Sequence, residues 1–538
     1  MVKKKIETIR LEVEGMTCDD CATHVERALR KVPGVDTASV PDWSSGLATA
    51  SLEQGTKIDD IRESVSAAGY SVRAVSTDQP AGTPSRKGPY DLVVIGAGSG
   101  GFSAAIAAAE EGFQVALINH GTLGGTCVNI GCVPSKVLIR AAETGSGSAD
   151  WSEAMFDKDN LVRSMREMKY GDVLKAYENI ALIEGAARFI DPETITVDGR
   201  PITANRFVIA AGARPRLTGI PGVDEAKPLT STTIMEIKEL PESLIVLGGR
   251  AVALELGQTM ARFGVRVLIL QRSERILPEH DAEAAEALEQ ELQREGIEIV
   301  TGAQANAMGT QDGRKYVEYT KSGELHRRES DEILLAHGRE PHTSELGLGE
   351  AGITIDDRGF IRIDEFQKTS NPHVYAVGDI TTAPEFVYVA AAAGKSAARN
   401  ALGVETRPLD LSVLPAVVFT DPQIATVGLT ESEAARTNRD TVTTVMPLEY
   451  VPRAAVDGRT GGLVKLVAEL GTGRLLGGTI VAPHAGETIG TLALAVRMGM
   501  SSEELAGTLF PYLTWVEGLK LAALTFSKDL RRLSCCAG

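Results

Sequence analysis

Between Asp91 and Asn119 the chain reads DLVVIGAGSGGFSAAIAAAEEGFQVALIN: an apolar run, a glycine-rich turn, an alanine-rich stretch and a second apolar run. No other segment narrows the fold so far. Gly96, Gly98 and Gly101 fit G-x-G-x-x-G between a strand and a helix, the context in which that motif marks a dinucleotide site. The first glycine turns the chain, the second leaves room for a pyrophosphate, and the third lets helix and strand pack closely. The phosphates then meet the positive end of the helix. One departure is visible: the second strand ends in Asn119, where an acid usually holds the ribose, although an amide can still bond a hydroxyl. A second unit of the same kind, ESLIVLGGRAVALELGQTMARFGVRVLILQR, runs from 242 to 272. Gly248, Gly249 and Ala253 belong to its loop, but Arg250 stands at the middle glycine position and puts the loop geometry in question. Gln271 follows the second strand in place of an acid, with Arg272 next and Arg275 beyond. An arginine suits a 2′-phosphate, so NADPH is expected over NADH.

Two nucleotide units in 538 residues exceed what one core supports, and the chain reads as several domains. Residues 1–76 alternate strand and helix patterns in the order βαββαβ, which predicts a ferredoxin-like plait. Residues 77–88, TDQPAGTPSRKG, have the composition of a flexible tether. The expected fold is α/β: two Rossmann-like domains, here 89–228 with 344–411 and 229–343, then an α+β domain over 412–538. A net charge of −17 argues against nucleic acid and anionic lipid as partners. No apolar run reaches the ~18 residues of a membrane span, and the basic start lacks an apolar h-region, so a cytoplasmic location without stable membrane insertion is expected.

All six cysteines come in pairs: Cys18 with Cys21, Cys127 with Cys132, Cys535 with Cys536. Three dithiols in a cytoplasmic chain point to electron transfer through a disulfide or to a soft metal ion. The middle pair, in GGTCVNIGCVPSK, opens a helix, where one sulfur gains thiolate character. That segment, the glycine loop before it and TSNPHVYAVGD at 369–379 resemble the pyridine nucleotide–disulfide oxidoreductases over nearly everything from residue 90 onward. The resemblance implies FAD, with Cys132 as the sulfur against the flavin and Cys127 as the sulfur facing substrate. It also implies Thr126 and Lys136 beside the flavin, Lys136 paired with Glu255, and Asp379 on the ribityl chain. LLAHGREPHT at 334–343 is similar to the segment that closes the family's second nucleotide domain, with His337 in place of threonine.

Family members that reduce organic disulfides carry a histidine near the C-terminus to protonate the leaving thiol. Phe510 occupies that position, and none of the eight histidines follows His484. A thiol leaving group needs a general acid, whereas a metal ion needs soft ligands. The segment from Phe510 to Gly538 resembles the C-terminus of mercuric reductases. That likeness implies a head-to-tail homodimer in which Cys535 and Cys536 pass Hg(II), arriving as a thiol complex, to Cys127 and Cys132 of the other subunit. Tyr170 and Tyr512 match the two tyrosines of that metal site. GMTCDDC resembles the heavy-metal-associated motif, making Cys18 and Cys21 a two-coordinate site for Hg(II) or Cu(I). Two alternatives stay open: a lipoamide- or glutathione-type disulfide reductase, and a metal-buffering protein with a degenerate flavin core.

Overall fold

A computed structural model describes residues 6–16, 19–40, 43, 46–53, 56–77, 88–144, 150–217, 219–437 and 439–533. The chain divides into two compact units, 1–89 with 402–406, and 90–401 with 407–538.

In the small unit, apolar residues recur every second position in the first strand and every three or four in the helices. Ile9, Leu11 and Val13 of the strand Ile6–Glu14 therefore face Val25 and Leu29 of the helix Asp19–Arg30, and Ile61 and Val65 of the helix Ile58–Ala67. The four strands are antiparallel, with Ile6–Glu14 between Leu47–Glu53 and Ser71–Thr77 and with Val35–Ser39 at the edge. This is the ferredoxin-like plait. Met16 packs partly buried against its core.

The large unit is built on four main sheets. In the first, Ile180–Glu184, Val115–Asn119, Tyr90–Ile95 and Arg200–Ile209 lie side by side and parallel, and Val374–Ala376 joins on the far side of Arg200–Ile209. Fully buried parallel strands need apolar residues on both faces, which is why LVVI and VALI read as unbroken apolar runs. The helices Ser99–Glu110 and Val387–Ala401 meet so closely that a Cβ on Gly394 would lie 2.1 Å from the Gly100 carbonyl oxygen. The second sheet is again parallel, in the order Glu298–Val300, Arg266–Leu270, Ser243–Leu247, Glu332–Leu335. A three-stranded antiparallel sheet, Gln304–Gln311, Arg314–Lys321 and Glu324–Ser330, adjoins it.

The C-terminal part is a five-stranded antiparallel sheet covered by the helices Ala485–Arg497 and Glu517–Leu524. It is fixed to the second nucleotide module by a buried cation. Lys465, 1% exposed, has Asp281 and Glu283 each at 3.2 Å and Glu431 as a further partner. Three carboxylates around one ammonium satisfy a charge that would be costly to bury alone. Among the described residues, no helix is long and apolar enough to cross a membrane.

Candidate active site

The first glycine turn follows the strand Tyr90–Ile95. Gly96 has φ +108°, and a Cβ there would sit 2.4 Å from the Ala210 carbonyl oxygen; on Gly101 it would sit 1.8 Å from the Gly96 carbonyl oxygen. Both positions are closed to any other residue. Gly98 differs: a Cβ there would meet only the Gly125 Cα, at 3.7 Å. Its side of the loop is open, and the helix Ser99–Glu110 starts with no side-chain cap and no acid in its first turn. Uncapped N–H groups beside an open glycine fit a pyrophosphate. Asp379 lies just past the strand Val374–Ala376, at the same carboxyl edge of the sheet, with its Oδ2 3.5 Å from Arg339 Nε. These features fit the phosphate and ribityl portions of a flavin dinucleotide.

Gly124 and Gly125, both at positive φ, turn the chain into the short helix Gly125–Ile130, which carries Thr126 and Cys127. Gly131 breaks that helix, and Cys132 is the first residue of the next, Cys132–Thr144. The two thiols are hydrogen-bonded. That bond is the main reason Cys132 falls to about 7, with Lys136 adding to it and partial burial opposing it. The same contact, together with burial, raises Cys127 well above the ordinary thiol range. The pair is asymmetric: the contact favours the thiolate at Cys132 and the protonated thiol at Cys127. Lys136, one helical turn after Cys132, places Nζ 2.7 Å from Glu255 Oε2, whose side chain is 8% exposed. Glu255 Oε1 accepts the Phe419 backbone N–H at 2.9 Å, and the Phe419 ring centroid lies 4.4 Å from the same ammonium.

Tyr170 comes to this centre through a π-helical turn, Glu167–Gly171, a distortion that nothing in the residue pattern announces. Its ring meets Phe102 edge-on, with centroids 4.8 Å apart, and stands against Gly124 at the entrance to the dithiol helix. Its hydroxyl bonds Ser99, while burial pushes its pKa up and the two cysteines add to that. Tyr512 is 55% exposed, between the helices Ser502–Gly507 and Glu517–Leu524. Phe510 packs partly buried against the C-terminal core. Cys21 stands in the first turn of its helix. Cys18, Cys535 and Cys536 lie outside the described residues.

The second glycine loop opens on a cavity of about 1130 Å³ lined by Gly248, Gly249, Arg250, Gln271, Arg272 and His337 among others. The doubt raised by Arg250 is removed by its backbone. Gly248 takes the positive φ, +122°, whereas Arg250 has φ −104° and ψ −177°. Gly98, its counterpart in the first loop, has φ −83° and ψ −175°, so neither position demands a left-handed residue. Gly249 is there for space: a Cβ would press on the Gln271 side chain at 3.0 Å. The Arg250 side chain is 69% exposed and reaches Glu279 at 3.4 Å. Ala253 is fully buried beneath the loop. Arg272 lines the cavity with Arg216, Arg339 and Arg358, a strongly cationic lining. Arg275, by contrast, directs its Nη2 to the carbonyls of Pro278 and His280 and is not among the residues lining the cavity. His337 is lowered by burial and by the Arg272 and Arg216 charges.

Residues 90–394 match the family described as pyridine nucleotide-disulphide oxidoreductase, and 414–523 match the dimerisation domain of the same family. The chain belongs to the pyridine nucleotide-disulphide oxidoreductases. Residues 10–71 match the heavy-metal-associated domain. The mercuric reductase of Staphylococcus aureus is 43% identical over 98% of this chain and 99% of its own length. That of Shigella flexneri is 42% identical over 98% of this chain and all of its own length. Among solved structures, the HOCl-induced flavoprotein disulfide reductase RclA of Escherichia coli has a TM-score of 0.76 at 29% identity. It covers 82% of this chain and 100% of that one. As a pyridine nucleotide-disulphide oxidoreductase, the chain uses a flavin and a pyridine nucleotide, and its matched dimerisation domain implies association in pairs.

Sequence reasoning missed three contributors. Phe419 bonds Glu255 through its backbone, which no side-chain pattern reveals. Phe102, which orients Tyr170, reads as an ordinary core position in an alanine-rich helix. Glu184, which bonds Asn119, lies 65 residues away on another strand.

Proposed function

We propose that this chain reduces Hg(II) to Hg(0) with NADPH and bound FAD, in the cytoplasm and as a homodimer. The observation that carries the reading is an activated dithiol in a chain with no histidine after His484 in its sequence. Cys132 is a thiolate near neutrality, while Phe510 occupies the position where a disulfide reductase would need a histidine. Full-length similarity to proteins named mercuric reductase supports the same reaction.

When bound, FAD supplies two-electron transfer between the nicotinamide and the metal at the dithiol. The protein's own groups do the rest. Cys127 faces the incoming ion, and Cys132, the more readily ionised of the two, is the ready thiolate ligand beside the flavin. Cys127 then releases its proton as mercury takes that proton's place on sulfur. The Cys127 hydrogen bond is the main support of the Cys132 thiolate, and Lys136, fixed by Glu255 one turn away, adds to it. The overall balance is Hg(II) plus NADPH giving Hg(0), NADP⁺ and one proton. Neutral mercury is a poor partner for thiolates and leaves.

Delivery would be by exchange between sulfur pairs, one ligand at a time. In this reading Cys18 and Cys21 collect Hg(II), and the segment 77–88 keeps them at high effective concentration. Cys535 and Cys536 of one copy then hand the ion to Cys127 and Cys132 of the second, past Tyr170 and Tyr512. Arg272 would receive the 2′-phosphate of NADPH. The test is mercury vapour release from purified protein given NADPH and Hg(II) in excess small thiol, with glutathione disulfide in parallel. Vapour with little disulfide reduction is expected. Brisk disulfide reduction without vapour would overturn the proposal in favour of a disulfide reductase.

A further inference from the structure

Asn119 stands where the ribose-binding acid of a dinucleotide fold belongs, and its surroundings show how its charge is replaced. It ends the strand Val115–Asn119, one residue past Ile118, whose carbonyl accepts the Gly96 N–H at 2.9 Å. The asparagine is 4% exposed. Its amide nitrogen donates to the Gly121 carbonyl at 2.8 Å and to Glu184 Oε2 at 2.9 Å. A side-chain amide has two N–H bonds, so both are used, and toward a sugar hydroxyl Asn119 can offer only its neutral amide oxygen.

Glu184 is the residue directly opposite Asn119 in the parallel register and the last of the strand Ile180–Glu184. Its backbone neighbour Gly185 donates to the Asn119 carbonyl at 2.9 Å and then turns the chain away at φ +142°. The carboxylate is therefore tethered through one oxygen at the carboxyl end of the sheet, on the exposed side. Among the described residues no hydrogen bond occupies its other oxygen. Carboxyl ends of parallel strands are where such folds hold their nucleotides, and a carboxylate is a stronger acceptor for sugar hydroxyls than an amide.

We propose that Glu184 is the ribose-binding carboxylate of the flavin site, displaced by one strand and clamped by Asn119. The inference rests on the FAD reading above. Glu184 is accordingly a binding residue for the adenosine half of FAD, and Asn119 a positioning residue.

The test strips flavin from the full-length protein and titrates the apoprotein with FAD by fluorescence quenching. In Glu184→Gln the pairing with Asn119 survives, since one amide can bond another, but the charge is gone. The FAD dissociation constant should rise by about tenfold or more, the usual worth of a hydrogen bond to a charged group. In the double variant N119D/E184Q the carboxylate returns to the strand next to the glycine loop, and FAD affinity should recover most of the loss. Glu184→Gln binding FAD within about twofold of wild type would overturn the proposal. So would a double variant no better than the single one. Failure of the wild-type apoprotein to take up FAD at all would instead remove the flavin reading itself, and this proposal with it.

Discussion

Replacing Cys127 by alanine isolates what makes Cys132 reactive. The hydrogen bond from Cys127 is the largest influence lowering Cys132, ahead of the Lys136 charge, and partial burial works against both. At a pKa of about 7, half of Cys132 is thiolate at pH 7. Without the bond, and with burial still acting, the group should return towards the ordinary thiol range near 9, leaving roughly 1% ionised at that pH. Lys136 remains, so the expected fall in thiolate is about 10- to 30-fold, short of the full ~50-fold. The assay is peptide-resolved alkylation of the reduced protein by iodoacetamide from pH 5 to 10, following only the peptide that carries Cys132. Wild type should show a rate that is lost as pH falls through about 7, and the variant a profile displaced upward by more than one pH unit. Lys136→Met should shift the profile in the same direction by less. If Cys132 in Cys127→Ala alkylates at pH 7 as fast as in wild type, the thiol–thiol bond is not the source of its acidity.

Gly101→Ala should yield protein that purifies without flavin, because the new Cβ would collide with the Gly96 carbonyl at 1.8 Å; a normal flavin absorbance would contradict the cradle geometry. Arg272→Ala should raise the KM for NADPH by about tenfold and leave that for NADH nearly unchanged, as expected for losing one charge-assisted contact. Equal effects on both would remove the 2′-phosphate assignment. Lys465→Met should cost about 3 kcal/mol, since it leaves Asp281, Glu283 and Glu431 facing one another. A thermal unfolding midpoint unchanged from wild type would show that the buried cation is not a fastening point.

Much of the architecture was legible because the relevant physics is local. Glycine turns at Gly96 and Gly248 follow from backbone conformations that other residues avoid, and the parallel strands declare themselves as apolar runs. The alternation through Ile9, Leu11 and Val13 fixed which face of the small sheet is buried. The dithiol was legible as a C-x4-C pair opening a helix, and the place of Lys136 beside Glu255 came from the family resemblance; the break at Gly131, which puts Cys127 on its own short helix, has no such mark. What escaped depends on register and on contacts between distant segments. Glu184 reaches Asn119 only because two strands pair in one register, and Phe419 supports Glu255 with a main-chain group. The Arg250 departure looked disruptive in the residue string and is benign in space, because its position needs extended backbone and room outward. The π-helical turn that aims Tyr170 has no compositional mark. Arg272 and Arg275 look alike in the residue string, yet Arg272 lines the nucleotide cavity whereas Arg275 turns its Nη2 to the carbonyls of Pro278 and His280.

The central claim is that two electrons from one NADPH leave on one mercury atom through the Cys127–Cys132 pair. The most direct measurement is the ratio of Hg(0) released to NADPH oxidised, taken on wild type and on the double variant Cys127→Ser with Cys132→Ser. The account predicts one mercury atom per NADPH in wild type and no vapour from the variant even when its flavin is fully bound. NADPH oxidation without matching vapour, or vapour that persists in the variant, would contradict it.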